Sequence, residues 1–314
     1  MQNNSASPTQ PIYLPFADCP STNGQWQSRM SLLPLDLSSW IEIDEHFAAE
    51  LELKNQLLQQ RHSEVFASLA DSEFGQREAL DLLLQHLLQT FPQHYSCKGP
   101  IIENHLAGQT WQREAFAAAP LDLAGRLVQE DLCLMQPSPQ GYVLAAASVC
   151  FPSRWLLREK LGRPMSQIHQ PVPAYPEQLE RPVDRFFNYF KIDKPVWRLN
   201  WSVTDSPELF LLPRQNQSPV DSQANSQINA TNAGENLWIR VERQTLRRLP
   251  QTGNILFTIR TYVQPLKRLE AKPKAAQNLA AIIQQLPINM QRYKGITPIR
   301  EALLGYLAQI KTSN

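Results

Sequence analysis

Residues 237–263 read LWIRVERQTLRRLPQTGNILFTIRTYV. In the first half, Leu237, Ile239 and Val241 alternate with Trp238, Arg240, Glu242 and Gln244. That period of two belongs to a strand with one face on a core. In the second half, Asn254, Leu256, Thr258, Arg260 and Tyr262 alternate with Ile255, Phe257 and Ile259. Pro250 and Gly253 break the pattern between them, within Leu249–Gly253. Two alternating runs joined by a short breaker-rich link predict an antiparallel hairpin.

Working outward, Val196–Val203 is a third strand, with Trp197, Leu199, Trp201 and Val203 on one face and Arg198, Asn200 and Ser202 on the other. Asp131–Gln136 and Tyr142–Phe151 form a second hairpin around Pro137–Gly141. Asp44 is placed to cap a helix carrying Phe47, Leu51, Leu58 and Val65. A second helix spans about 71–91, and the two are expected to form an antiparallel pair. Short helices are expected at 120–130 and 154–161, another from Pro176, and two at the C-terminal end. With no strand–helix–strand alternation, the fold class is α+β around an antiparallel sheet. Residues 1–40 read as an extended arm. Residues 41–314 read as one domain, containing the helical segment 41–92 and a polar, mobile insertion at 214–236.

Composition narrows the function. Among 314 residues, 42% are hydrophobic, enough for a full core, and the net charge is +1, so no global field recruits nucleic acid or acidic lipid. Arg240, Arg243, Arg247 and Arg248 cluster in sequence but alternate between strand faces, which argues against a nucleic-acid patch. No run reaches the ~20 apolar residues of a membrane helix. Four scattered cysteines lack zinc spacing or a haem-attachment motif, and free thiols suit a cytoplasmic setting. No phosphate-binding or nucleophile-elbow motif is present.

The candidates for chemistry lie on the strands and in one loop. Arg240 and Glu242 sit on a polar strand face. That face is either solvated, with a cross-strand ion pair, or a wall that orients a ligand. Trp197 and Trp201 fit either plain core or the flat side of a planar cofactor. His169 lies in Ile168-His169-Gln170-Pro171-Val172-Pro173, where prolines stiffen the backbone. A rigid neutral imidazole is what an axial haem ligand requires, although a loop histidine is commonly no ligand at all.

Four stretches carry a resemblance: 163–173 with its Ile168-His169-Gln170-Pro171 core, 183–187, 197–203, and the run RVERQTLRRLP at 240–250 with its continuation to Tyr262. From about residue 10 to about residue 310 the chain resembles the α subunit of haem-dependent oxidative N-demethylase. The resemblance implies a PAS-like curved sheet holding haem b non-covalently, with His169 as the iron ligand and Arg198 and Trp201 beside the cofactor. Arg240, Glu242, Arg260 and Tyr262 become polar candidates for the opposite side. It further implies O2-dependent demethylation of a small secondary amine such as dimethylamine. Electrons would come from NADPH through a separate flavin and iron–sulfur reductase subunit. Two alternatives share the residue pattern: a haem-binding sensor without turnover, and an interaction protein without cofactor.

Overall fold

The computed structural model describes residues 9–16, 30–213 and 227–311. Cys19, much of the arm and positions 214–226 of the insertion lie outside the described residues.

The hairpin decides the architecture. Strands β9 (Trp238–Arg248) and β10 (Ile255–Pro265) pair antiparallel over their whole length, with Arg248 opposite Ile255 and Trp238 opposite Pro265. Gly253, at φ +70°, gives the turn a left-handed residue at no steric cost. The turn is also held from outside: the Glu78 carboxylate accepts from the amides of Gln251 (2.6 Å) and Thr252 (2.9 Å). Around this hairpin runs a seven-stranded antiparallel sheet in the order β1-β8-β9-β10-β6-β7-β2. Its other members are β1 (Leu33–Pro34), β2 (Phe66–Ser68), β6 (Asp131–Ser138), β7 (Gly141–Ser148) and β8 (Val196–Thr204). β3 (Tyr95–Lys98), β4 (Ile101–Asn104) and β5 (Gln109–Gln112) form a separate three-stranded sheet. The α+β class stands. The short strands β1 and β2 and the small sheet are additions that local periodicity did not reveal.

One sheet face is covered by helices. α1 (Phe47–Gln60) and α2 (Glu73–Thr90) both dock on α3 (Pro120–Leu127) more than on each other, so the expected antiparallel pair is not their main contact. Leu51, Leu80, Leu83, Leu87, Leu121, Leu134 and Leu256 lie in the resulting core. Further along the same face, α6 (Pro273–Gln285) and α8 (Arg300–Gln309) pack Leu279, Ile283 and Leu303 over Ile239, Val241 and Tyr262. The arm docks here as well: Phe16 is buried and meets the Trp201 ring edge-on at 5.7 Å.

The other face carries the long connection from β7 to β8. The helix expected at 154–161 is reduced to one 3-10 turn at Leu157–Glu159, because Arg154 takes a left-handed φ of 60° and its amide bonds to Leu211 O. The connection continues through α4 (Met165–Ile168) and α5 (Glu180–Tyr189), with Val183 and Phe187 turned inward. Finally α7 (Ile288–Tyr293) ends at Gly295, φ +68°.

Candidate functional site

Between the sheet and the β7–β8 connection lies a cavity of about 2150 Å³. Ordinary small-ligand pockets span ~300–1,000 Å³, so this space exceeds what a small ligand alone needs. Cys133, Met135, Leu144, Leu246, Phe257 and Ile259 form an apolar floor. At one end the floor gives way to Arg198, Asn200, Glu242 and Gln244, and the space continues past β8 to Tyr293 and Lys294.

His169 lines the roof. It follows α4, and both its backbone N–H and its ring Nδ1 lie 3.0 Å from the Met165 carbonyl. A carbonyl can only accept, so Nδ1 carries the proton and Nε2 keeps its lone pair. Nε2 has no hydrogen-bond partner among the described residues. The imidazole stacks on Tyr175 at 4.9 Å and 12°. Burial pulls its pKa down to about 4, opposed by the Met165 bond and assisted by Lys160 and Arg198. The ring is therefore neutral and oriented at neutral pH. The Tyr175 hydroxyl and Arg198 Nε are buried without partners among the described residues.

Those features fit a haem. A neutral imidazole with its far nitrogen fixed by a backbone carbonyl is the usual way a protein presents an iron ligand. The apolar floor suits a tetrapyrrole face. The cation Arg198, without an ion pair among the described residues, suits an acidic edge.

Glu242 is fixed in place. Gln244 Nε2 donates to its Oε2 at 2.8 Å and Asn200 Nδ2 at 3.3 Å. Asn200 is its direct partner across the β8–β9 ladder, and Gln244 is two residues along the same face. Alternation alone makes Gln244 its neighbour, so that residue was legible in principle, whereas Asn200 is brought to it by the β8–β9 register. Lys294 was not legible. It follows a short helix nearly fifty residues beyond β9, and its Nζ donates to Trp201 O at 2.6 Å. Burial lowers its pKa to about 8, with Glu242 opposing and Arg198 assisting.

Of the seven residues singled out from sequence, His169, Arg198, Trp201 and Glu242 border the cavity. Trp201 does so from the opposite strand face to Arg198, with its ring toward Phe16 and Lys294. The expected place of the other three on the cavity wall is corrected. Arg240 shares the face of Glu242, but the start of the β7–β8 connection and the segment that follows β8 cover it. It is buried and donates to the carbonyls of Phe151 (2.6 Å), Leu209 (3.2 Å) and Glu208 (3.3 Å). Arg260 stands opposite Arg243 and Tyr262 opposite Val241, which places both on the helix face. There Arg260 pairs with Asp44 and Glu50, each at 2.7 Å, and Tyr262 donates to Glu42. Asp44 is thus a buried counter-ion instead of a helix cap, although it accepts from His46 N at 2.9 Å near the start of α1.

No helix among the described residues is long and apolar enough to cross a membrane. Residues 31–304 match the family model described as haem-dependent oxidative N-demethylase, alpha subunit-like. That match takes in every strand of both sheets, the roof histidine and the Lys294 loop, and the chain is a member of the haem-dependent oxidative N-demethylase α-subunit-like family.

Proposed function

We propose that this chain binds haem b non-covalently in the cavity, with His169 as the iron ligand, and removes an N-methyl group from a small secondary amine. The observation that carries this reading is the His169 ring: its proton is held on Nδ1 by Met165 O at 3.0 Å, and Nε2, beside a large apolar space, has no partner among the described residues. When bound, haem supplies the activation of O2 for the oxidation. The overall change balances as R–NH–CH3 + O2 + 2 electrons + 2 H⁺ giving R–NH2, formaldehyde and water. The electrons come from a partner subunit, a reductase carrying flavin and iron–sulfur centres and using NADPH; an α-subunit-like family name supports a second subunit.

The chain's own residues then have distinct tasks. His169 holds the cofactor in register. Glu242, fixed by Asn200 and Gln244, presents a carboxylate oriented toward the lumen, suited to an alkylammonium. Trp201 and Arg198 border the cofactor's space. Cys133, Met135, Leu246 and Phe257 keep water off the reacting side. The sheet's curvature is read as PAS-like, residues 41–314 as one domain, and the cytoplasm as the working compartment.

The visible spectrum tests the reading. Purified protein supplied with haem should show a Soret band that is lost or shifted in His169→Ala and partly restored by added imidazole. NADPH-dependent formaldehyde release from dimethylamine with a matched reductase should accompany it. Protein that stays colourless with haem present would sink the proposal. A coloured protein without turnover would leave a sensor.

A further inference from the structure

Two cations on the cavity lining lack a carboxylate in contact. Arg198 makes no hydrogen bond or ion pair among the described residues, and its Nε is buried. The Lys294 ammonium donates to one group, Trp201 O at 2.6 Å, and lies 4.7 Å over the Trp201 ring. A backbone carbonyl and an aromatic face stabilise an ammonium but do not neutralise it. Neither cation is within ion-pair distance of a carboxylate among the described residues. Glu242 acts on both from further away, and two side-chain amides already bond it.

Charge out of water without a partner is costly. The cost recurs twice on one lining. Elsewhere Arg260 has Asp44 and Glu50, Lys54 has two carbonyls with Asp131 at 3.8 Å, and Arg240, with no carboxylate in contact among the described residues, donates to three carbonyls. Lys294 also stands beside a stretch of β8 that has no strand on that side among the described residues. There β1 pairs with Val196 and Trp197, and the strand beyond lies next to the Lys294 loop.

We infer that Arg198 and Lys294 form a carboxylate-binding pair in the cavity. A carboxylate between them supplies the missing counter-charge, and Arg198 can take it with two parallel N–H donors. Two sources have this chemistry: a propionate of the haem, or a carboxylate on the amine itself. In the second case Glu242 takes the ammonium of the same molecule, and the substrate class is an N-methyl amino acid instead of a simple dialkylamine. The inference uses the haem reading only in its first arm.

Haem, its dimethyl ester, N-methylglycine and dimethylamine are titrated into wild type, Arg198→Gln and Lys294→Met, with folding checked by thermal melt. Absorbance follows the porphyrins and calorimetry the amines. Lys294→Arg serves as the charge-conserving control. Loss of haem affinity by tenfold or more, with the ester unaffected, places a propionate in the pair. Loss of N-methylglycine binding, with haem and dimethylamine unaffected, places the ligand's carboxylate there. Folded variants that bind haem, ester and N-methylglycine within twofold of wild type overturn the inference. A wild type that binds no haem but binds N-methylglycine through the pair would sink the haem reading alone. A wild type that binds neither sinks both.

Discussion

Single side chains in this protein gain their properties from burial more than from contact. Glu130 is the clearest case. It is fully buried, one oxygen accepts from Glu42 N at 3.1 Å, and the other has no partner among the described residues. Burial raises its pKa from 4.5 to about 7, although Arg260 and backbone N–H groups pull the other way. The unfolded carboxyl releases its proton near the ordinary glutamate value, while the folded one keeps it until about 7. The folded state thus binds more protons between those limits, and this group's contribution is fully present at low pH and lost as pH rises through 7. Its size is at most about 3 kcal/mol. His86 and His169, both lowered to about 4 by burial, act in the opposite sense: their contribution is lost as pH falls from 6.5 toward 4. The variant Glu130→Gln should therefore melt higher relative to wild type at pH 8 than at pH 5. An equal difference at the two pH values would contradict this.

At the scale of elements, the hairpin separates two chemistries onto two faces. On the helix face, Arg260 bridges Asp44 and Glu50, Gln129 donates to both carboxylates, and Tyr13 and Tyr262 donate to Glu42. On the cavity face stand Glu242 and Gln244 with Leu246, Phe257 and Ile259. Replacing Arg260 by methionine leaves two buried carboxylates without a counter-charge, at a cost of about 3–5 kcal/mol. Urea denaturation should show that loss. The haem spectrum of the still-folded fraction should match wild type, because Arg260 sits behind the sheet. A normal denaturation midpoint with an altered spectrum would mean that Arg260 acts in the cavity after all. At Gly75 the first turn of α2 comes so close to the hairpin that a Cβ would strike the Asn254 side chain, so the helix that carries Glu78 can reach the turn.

For the whole molecule, the central strands belong to every core. β9 and β10 supply Leu256 to the core under α2 and α3, Ile239, Val241 and Tyr262 to that under α6 and α8, and Leu246 and Ile255 to the cavity side. Removing residues 41–92 would expose Leu134, Leu256 and the buried Arg260 together, and the remaining helices cannot cover them. The intact chain is expected to unfold in one urea transition, and a chain starting at residue 93 to give neither a cooperative melt nor a haem spectrum. A truncated protein with both would show that the helical segment is a separate domain. Since haem binds only folded protein, its addition should raise the melting temperature of the intact chain.

Much of this was legible in the chain itself. A period of two is a local property, so the alternation at 237–263 and 196–203 was enough to define strands, their faces and the α+β class. Stiff prolines around His169 singled out that histidine before any cavity was visible. Register is a different kind of quantity, because it depends on how many residues the turn consumes. A shift of one residue would have put Arg260 opposite Glu242 or Gln244 instead of Arg243. Arg240 was decided from further off still, by the Phe151 carbonyl 89 residues away, and Lys294 by a strand edge that β1 leaves uncovered. Such contacts cost loop entropy that only the assembled core offsets, so no local pattern announces them.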